Sequence, residues 1–367
     1  MANVSHIAVL EALKGVMDPD LRRDIVSLGF IKDLEIDTAG RVAFTLELTT
    51  PACPVKEKLK SQAEEVVATL DGVAAVTVKL SSRVTGGGRP KAGNLLPGVK
   101  NIIAVASGKG GVGKSTTAVN LALALSQTGA TVGVLDADIY GPSLPRLLNL
   151  QGKPVAAETP DGDNPQVAPM EAYGLKAISI GLFLPEDAPM VWRGPMVGMA
   201  VEQLLRDIAW GELDYLVVDL PPGTGDAQLT LTQKVPLTGV VIVSTPQDVA
   251  LADVKKGINM FRKVDVPILG IVENMSYYLC PSCGHRENIF DHGGARREAE
   301  NSGIFFLGEI PLDPQIRVDA DAGRPILLTH PDHPQSRIYR EIAANLAARV
   351  ASQNYHAGST IPNIVVE

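Results

Sequence analysis

A glycine-rich segment between a buried strand and a helix is the feature that most restricts what this chain can fold into. The apolar run NIIAVAS, residues 101–107, leads directly into GKGGVGKST, residues 108–116, and a helical pattern follows. The spacing G-x-x-x-x-G-K-[ST] of a phosphate-binding P-loop is met by Gly108, Gly113, Lys114 and Ser115. Glycines let backbone N–H groups wrap phosphates, and the start of the following helix favours negative charge. The segment predicts a nucleotide-binding α/β domain.

The residues of this loop have separate expected roles. Lys114 is expected to reach the β- and γ-phosphates of ATP, and Ser115 to place its hydroxyl on Mg²⁺. Lys109 is a second lysine that an ordinary P-loop does not require, and its position near the phosphates suggests a charge-stabilising role, with a solvated lysine as the alternative. The residues expected to contact nucleotide are Gly108, Lys109, Gly110, Gly111, Val112, Gly113, Lys114, Ser115 and Thr116.

Further apolar runs follow the P-loop at intervals and predict the rest of the domain. They are TVGVLDAD, YLVVDL, GVVIVST, ILGIVEN and IFFLGEI. Strands that are buried on both faces have this composition, and parallel sheets bury both faces. Helical patterns such as KSTTAVNLALALSQTG separate the runs. The alternation predicts a doubly wound, mostly parallel sheet, which binds ligands at the carboxyl ends of its strands.

Three aspartates stand at the ends of two of these strands. An aspartate that ends a hydrophobic strand after a P-loop usually supports Mg²⁺, which predicts that role for Asp219. Asp138 is predicted to orient the attacking water, and Asp136 to lie nearer the metal. Capping of the following turn or helix is the alternative for such strand-end aspartates. The segment PPGTGD after Asp219 suits a loop that senses the γ-phosphate.

The first part of the chain predicts a separate, small α+β domain. Helical spacing of apolar residues occurs twice, and strict alternation occurs in RVAFTLEL and again from Val76 to Leu80. The first helical face consists of Ile7, Leu10, Leu13 and Val16; the second consists of Val55, Leu59, Ala63, Val66 and Leu70. These patterns predict a domain over residues 1–82, a Gly-, Ser- and Pro-rich linker over 83–99, the ATPase domain over 100–355 and a tail over 356–367.

Composition and charge argue against several classes of protein. The formal net charge of −8 argues against a general nucleic-acid surface. No apolar run reaches membrane-spanning length, and the N-terminal segment does not have the pattern of a signal peptide. Three cysteines in 367 residues do not make a disulfide framework. We therefore expect a cytoplasmic protein with reduced thiols and without a nucleic-acid or membrane partner.

Two of the cysteines, Cys280 and Cys283, form a C-x-x-C pair in YLCPSCGH. Two thiolates at this spacing can bind one metal, but a tetrahedral zinc site or an iron–sulfur cluster needs four protein ligands. A zinc site within one chain would use His285 and His292 as the remaining ligands. Cys53 precedes a predicted helix, where its thiol pKa would fall, or it is a small buried hydrophobic residue.

Several motifs together resemble one family. GKGGVGKST, with its extra lysine, resembles the deviant Walker A motif of the dimeric MinD/ParA/nitrogenase-iron-protein ATPases. Within that group, LDADIYGPSLPRLL, VVDLPPGTGDAQLTL, VENMSYYLCPSCG and GEIPLDPQIR resemble the Mrp/ApbC-type iron–sulfur cluster carriers, over about residues 98–350. MDPDLRRDIVSLGFIKDLEID and TTPACPVKEKL are similar to a small iron–sulfur-assembly domain that is often fused ahead of these ATPases.

This resemblance implies more than the residues alone. It implies an ATP hydrolase whose homodimer holds one [4Fe–4S] cluster between Cys280 and Cys283 of both chains. It also implies that Lys109 contacts phosphates across the dimer interface and that Asn274 recognises adenine. The implied partners are a cluster-assembly scaffold as donor and apo iron–sulfur proteins as acceptors. Two alternatives stay open, a MinD/ParA-like positioning ATPase and a zinc-stabilised ATPase scaffold. The chain lacks the additional N-terminal four-cysteine site of some relatives.

Overall fold

The computed structural model describes residues 4–86, 96, 98–157, 166–183 and 194–358. The chain divides into two compact units, one built from the residues up to 85 together with those from 347 onward, the other from residues 86–346. The boundary at 85/86 falls inside the predicted linker, and the end of the last helix groups with the first unit. The predicted linker and tail lie largely outside the described residues.

The first unit contains a three-stranded sheet, a two-stranded sheet, the helices α1 and α2, and the end of the last helix. Its elements are α1 (His6–Leu13), β1 (Met17–Asp18), β2 (Arg23–Asp24), β3 (Ile31–Ile36), β4 (Arg41–Leu48), α2 (Lys56–Ala68) and β5 (Ala75–Ser82). Strand β4 lies in the middle of the sheet, antiparallel to β3 and parallel to β5. Alternate residues of β4 are buried, as the period-two pattern predicts.

The predicted apolar face of α1 is partly wrong. Ile7 is 73% exposed, whereas Val9 and Leu13 are buried completely. Ser5 caps the helix, its side chain accepting from the N–H of Ala8, and the helix ends at Leu13. Val9 and Leu13, which are four residues apart, therefore form the buried face of the helix, and Ile7 lies outside this face.

The second unit contains the remaining elements. They are β6 (Val99–Ala106), α3 (Lys114–Ser126), β7 (Val132–Asp136), α4 (Leu144–Leu147), β8 (Met170–Ala172), β9 (Leu175–Ser179), α5 (Gly194–Arg206), β10 (Leu213–Asp219), α6 (Asp226–Lys234), β11 (Gly239–Ser244), α7 (Asp248–Lys263), β12 (Ile268–Leu279), β13 (Arg286–Glu287), α8 (Gly294–Asn301), β14 (Phe306–Leu312), α9 (Pro314–Asp321), α10 (Ile326–Thr329) and α11 (Pro334–Gly358), whose last part belongs to the first unit.

The central sheet confirms the predicted doubly wound architecture. Its strand order is β13-β12-β11-β6-β10-β7-β9-β8, and β14 pairs with β12. Pairings among β6, β7, β9, β10, β11, β12 and β14 are parallel, whereas β8 and β13 add antiparallel edges. Each apolar run predicted as a strand lies in this sheet. Strand β6, which leads into the P-loop, therefore lies at the centre of the sheet.

Register places the predicted site residues at one edge of the sheet. Asp219 at the end of β10 pairs with Asp136 at the end of β7 and with Val105 near the end of β6. Because the carboxyl ends of parallel strands meet at the same edge, the P-loop and these carboxylates come together there. Within the described residues, no helix is sufficiently long and apolar to cross a membrane.

Candidate functional site

The P-loop borders a cavity of about 250 Å³ at the carboxyl edge of the central sheet. The loop residues that border it are Lys109, Gly110, Gly111, Gly113, Lys114, Ser115 and Thr116. The rest of the wall comes from the residue after β6, from the segment after β7 that includes α4, and from the loop after β10: Ser107, Asp138, Gly141, Ser143, Leu147 and Pro222. Most of the predicted nucleotide-contacting residues are thus brought together, with the start of α3 behind them, where phosphates bind favourably.

Gly113 has a backbone conformation and surroundings that favour glycine. Its φ of 81° lies in the left-handed region, and a Cβ atom there would lie 2.2 Å from Nδ2 of Asn274. The same amide nitrogen donates to the carbonyl oxygen of Val112 at 2.8 Å. Asn274, which the family resemblance assigns to adenine recognition, is therefore packed against the P-loop backbone, and that predicted role stays a prediction.

Lys114 is held among carboxylates at the base of the cavity. Its Nζ lies 2.5 Å from Oδ1 of Asp219 and 3.6 Å from Oδ2 of Asp138. The side chains of Lys114 and Asp219 are 6% and 1% exposed, so this ion pair is buried. Burial raises the pKa of Asp219, and the positive charge of Lys114 opposes that rise. A phosphate that entered the cavity would compete with Asp219 for the ammonium group.

Asp136 has a different environment from the one predicted for a residue near the metal. Both of its carboxylate oxygens accept hydrogen bonds: Oδ1 from the N–H of Asp138 at 3.0 Å, and Oδ2 from the N–H of Ser143 at 2.9 Å, the N–H of Leu144 at 3.0 Å and the hydroxyl of Ser179 at 3.0 Å. Burial, reinforced by the charge of Asp219, raises its pKa to about 7. The carboxylate anchors the loop between β7 and α4, which is the capping alternative. Its contact with a metal stays a prediction.

The donor set near Ser115 fits Mg²⁺. Ser115 borders the cavity, and Asp219 Oδ2 is buried without a hydrogen-bond partner among the described residues. A buried carboxylate oxygen without a partner is costly, and a cation or a metal-bound water would satisfy it. Asp138 also borders the cavity, and its Oδ1 accepts from the N–H of Gly141 at 3.3 Å. Hard oxygen donors of this kind are those that Mg²⁺ prefers.

Lys109 borders the same cavity from the exposed side of the loop. The hydroxyl of Ser107 donates to the Lys109 carbonyl at 2.9 Å and so holds the backbone at this point. The side chain is half-buried, unlike that of Lys114. Lys109 therefore lies at the cavity, and its contact with phosphates, in the same chain or across a dimer interface, stays a prediction.

The two cysteines of the C-x-x-C pair lie at the tip of a hairpin between β12 and β13. The backbone N–H of Cys280 donates to the carbonyl of His285 at 2.9 Å, and the N–H of Gly284 donates to the carbonyl of Cys280 at 2.8 Å. Cys283 is exposed and Cys280 is partly so. The N–H groups of Cys283 and Ser282 lower the pKa of Cys280 by hydrogen bonding to its thiolate. Such a thiolate is a better metal ligand than an ordinary thiol.

The histidines of the zinc alternative do not join the cysteines. His285 lies 3.3 Å from Glu287, and His292 lies 3.0 Å from Glu309. His292 groups with Glu273 and Glu309, whereas no group of three or more candidate ligand atoms in the described part of the chain contains a cysteine. The geometry therefore does not form a Cys₂His₂ site within one chain.

Cys53 has the environment of a structural residue. It is buried in the core of the first unit, and burial raises its thiol pKa to about 11. Its location before α2 does not offset this desolvation. The sequence left two interpretations of Cys53 open, and the structure supports that of a small buried hydrophobic residue.

Several residues around the nucleotide cavity were not predicted from the sequence. Ser143 and Leu147 follow the DAD segment, whereas Pro222 lies in PPGTGD, the segment that the sequence already placed near the γ-phosphate. Ser179, which hydrogen-bonds to Asp136, comes from β9. The turn-forming segment GPS, residues 141–143, was the available signal for Ser143, because a loop at the carboxyl edge of the sheet borders the site.

Comparison with known proteins matches both parts of the chain to families. Residues 98–347 match the ParA family that is described as NUBPL iron-transfer P-loop NTPase. Residues 7–80 match a family that is described as iron-sulfur cluster assembly protein. The two matches lie one after the other along the chain and together span most of it.

Individual relatives align over most of the chain. An iron-sulfur cluster carrier protein of Deinococcus radiodurans is 48% identical over 345 residues, 94% of this chain and 95% of the relative. One of Escherichia coli K12 is 51% identical over 306 residues, 83% of this chain and 81% of the relative. A solved nucleotide-binding protein of Archaeoglobus fulgidus, in complex with ADP, is 42% identical with a TM-score of 0.54, covering 62% of this chain and 87% of that one. The chain belongs to the NUBPL iron-transfer P-loop NTPase family, as the motif resemblance predicted.

Proposed function

We propose that the chain is an ATP-dependent iron–sulfur cluster carrier, which binds a [4Fe–4S] cluster and transfers it to apo-proteins. One observation carries the proposal: Cys280, which is partly exposed, and Cys283, which is exposed, directly follow β12, the strand whose Asn274 contacts the P-loop. The names of the relatives, iron-sulfur cluster carrier proteins, support it. A nucleotide site and a metal-binding pair on one scaffold suit a carrier whose hold on its cargo depends on nucleotide.

The nucleotide chemistry follows from the residues at the cavity. Lys114 is proposed to leave Asp219 and neutralise the β- and γ-phosphates of ATP as they enter. Ser115 and Asp219 would hold Mg²⁺, which supplies charge neutralisation of the phosphates. Asp138 borders the cavity at its edge and is proposed to orient the attacking water. Each of these groups acts on charge that develops at the γ-phosphate.

A homodimer is proposed because the ligand count requires two chains. A [4Fe–4S] cluster takes four thiolates, and each chain offers one accessible pair. The third thiol, Cys53, is buried in the other unit with a raised pKa. Two facing hairpins would therefore supply Cys280 and Cys283 twice. Lys109, on the exposed side of the P-loop, is proposed to reach the partner's phosphates in the same dimer.

The proposed donor is a cluster-assembly scaffold and the proposed acceptors are apo iron–sulfur proteins. An exposed hairpin tip is suitable for transfer, because an incoming thiolate can reach the cluster without local unfolding. We place the reaction in the cytoplasm, since a thiol pair that must bind a cluster needs a reducing compartment.

Anaerobic reconstitution tests the proposal directly. The chain is incubated with iron and sulfide, and its visible spectrum and metal content are measured. It is then mixed with an apo-protein that takes a [4Fe–4S] cluster. Cluster formation followed by activation of the acceptor, faster than from free iron and sulfide, is expected. A chain that gains no cluster, or that never activates an acceptor, would contradict the carrier function.

The two alternative functions receive less support. A zinc-stabilised scaffold would need further ligands beside the cysteines, and His285 and His292 pair with glutamates instead. A positioning ATPase has no use for the cysteine pair. Reconstitution separates the three, since only the carrier requires sulfide together with iron.

A further inference from the structure

Strand β12 connects the two parts of the proposed site, and it is irregular between them. Asn274 contacts the P-loop, and Cys280 follows six residues later, directly after the end of the same strand. An extended segment of this length spans about 20 Å. The register of β12 with β14 shifts between Asn274 and Tyr278. We name residues 274–277 the β12 bulge.

Met275 has a backbone conformation that is unfavourable for its side chain. Its φ is 54°, in the left-handed region that non-glycine residues rarely adopt. A residue stays in such a conformation only when its neighbours hold it there. On one side, Asn274 is fixed by its hydrogen bond to Val112. On the other, the hydroxyl of Ser276 donates to Glu273 at 2.6 Å.

The β12 bulge is held by different contacts at its two ends. Glu273 is completely buried, and its carboxylate accepts from the N–H groups of Gly293 at 2.8 Å and Ala295 at 2.7 Å, at the start of α8. Glu273 therefore stays fixed when the neighbouring Asn274 is displaced. On the other side, the guanidinium of Arg286 lies 3.8 Å from the centre of the Tyr277 ring, so both arms of the cysteine hairpin are joined to the bulge.

The Asn274 side chain lies close against the P-loop backbone, with its hydrogen bond to the Val112 carbonyl at 2.8 Å. A Cβ on Gly113 would lie 2.2 Å from the Asn274 amide nitrogen. Phosphates orient the backbone N–H groups of a P-loop, and each rotated peptide group also rotates its carbonyl. Because close-packed groups transmit displacement, a change at the Val112 carbonyl is passed to Asn274.

We propose that the β12 bulge couples nucleotide occupancy of the P-loop to the orientation of Cys280 and Cys283, with Met275 as its hinge and Asn274 as its positioning residue. The proposal deepens the carrier function and rests on it, but the coupling itself is a property of one chain without its cluster. It gives nucleotide binding a route by which to change the hold on the cluster from within each subunit.

Thiol reactivity in the cluster-free protein tests the coupling. Alkylation of Cys280 and Cys283 by iodoacetamide is followed by peptide mass, with and without a non-hydrolysable ATP analogue and Mg²⁺, over a range of protein concentrations. Cys53 is buried and does not interfere. We expect the nucleotide to change the alkylation rate of wild-type protein by about fivefold or more, the lower range of measured couplings between sites. We expect this change at every protein concentration.

Met275→Gly is the decisive variant. Glycine adopts left- and right-handed backbone conformations with similar ease, so residue 275 no longer transmits a displacement of Asn274. The ratio of the alkylation rates with and without nucleotide should therefore approach one. Asp265→Gly is the matched control, because Asp265 has nearly the same φ, 56°, and lies exposed between α7 and β12, away from the route. It should keep the wild-type ratio. Ser276→Ala removes the hydrogen bond to Glu273 and should lower the ratio of the alkylation rates. It replaces Met275→Gly as the test variant if Met275→Gly does not fold.

A wild-type alkylation rate that the nucleotide leaves unchanged would overturn the coupling, and so would either of two further results. One is a wild-type ratio in Met275→Gly, or in Ser276→Ala if that variant is used. The other is a nucleotide effect that appears only at concentrations where the chains dimerise, because protection by a partner would then explain it. Neither result bears on whether the chain binds and transfers a cluster, which reconstitution decides separately.

Discussion

Replacing Lys114 by methionine removes the charge from the nucleotide site while it keeps most of the side-chain volume. Lys114 is the cation that lies 2.5 Å from Asp219 and 3.6 Å from Asp138. In the proposed mechanism the same ammonium group neutralises charge that develops on the γ-phosphate. Loss of one such electrostatic contact costs about 3–4 kcal/mol of transition-state stabilisation. This corresponds to a decrease in kcat of roughly 10²–10³-fold.

The stability of Lys114→Met should change much less than its activity. Removing one partner of a buried ion pair costs about 3–5 kcal/mol when the remaining charge stays buried. Burial already raises the pKa of Asp219, so this carboxyl can take up a proton once Lys114 is absent. We therefore expect a loss of about 1–3 kcal/mol in the free energy of unfolding.

Three measurements separate these effects. Phosphate release gives kcat, calorimetry gives ATP affinity, and thermal unfolding shows that the variant is folded. Lys114→Arg, which restores the charge but not its geometry, is the matched comparison and should lie between wild type and Lys114→Met. A folded Lys114→Met that binds ATP and hydrolyses it within about tenfold of the wild-type rate would refute the assigned role.

Three further predictions concern the other groups of the site. Lys109→Ala should reduce ATP hydrolysis more than ATP binding. In a mixed dimer of one Lys109→Ala chain and one Lys114→Ala chain, one nucleotide site stays intact if Lys109 acts on the partner's nucleotide. If Lys109 acts within its own chain, both nucleotide sites of this dimer are defective. The raised pKa of Asp136, about 7 against 3.8, means that the folded chain binds more protons than the unfolded chain between these pH values. Stability should therefore fall as pH rises through this window, and thermal unfolding of Asp136→Asn should depend less on pH. Alkylation of Cys280 should begin at lower pH than that of an ordinary thiol, while Cys53 should react only on unfolding.

The parts of the structure that depend on local pattern were predictable. The P-loop and the buried strands around it follow from glycine spacing and from apolar runs that only a parallel sheet accommodates. Strand β4 alternates as its sequence does. The apolar face of α1 was placed wrongly at Ile7, because a short helix offers several faces of similar hydrophobicity, and packing chooses among them.

The finer chemistry of the site depends on contacts between distant segments. Asn274 and Val112 are 162 residues apart, and nothing local indicates that they hydrogen-bond. The carboxylate of Asp136 likewise accepts hydrogen bonds from Ser143 and Ser179, which lie outside its own strand. Sequence identified which polar residues reach the carboxyl edge of the sheet, but only the fold decides which of them pair with each other.

Anaerobic native mass spectrometry of the reconstituted protein tests the central claim most directly, because it counts chains, iron and sulfide in one particle. We expect a particle of two chains with four iron and four sulfide ions. That particle should be lost in Cys280→Ala and in Cys283→Ala and retained in Cys53→Ala. A single chain that carries one zinc ion and loses it in His285→Ala or His292→Ala would contradict the account.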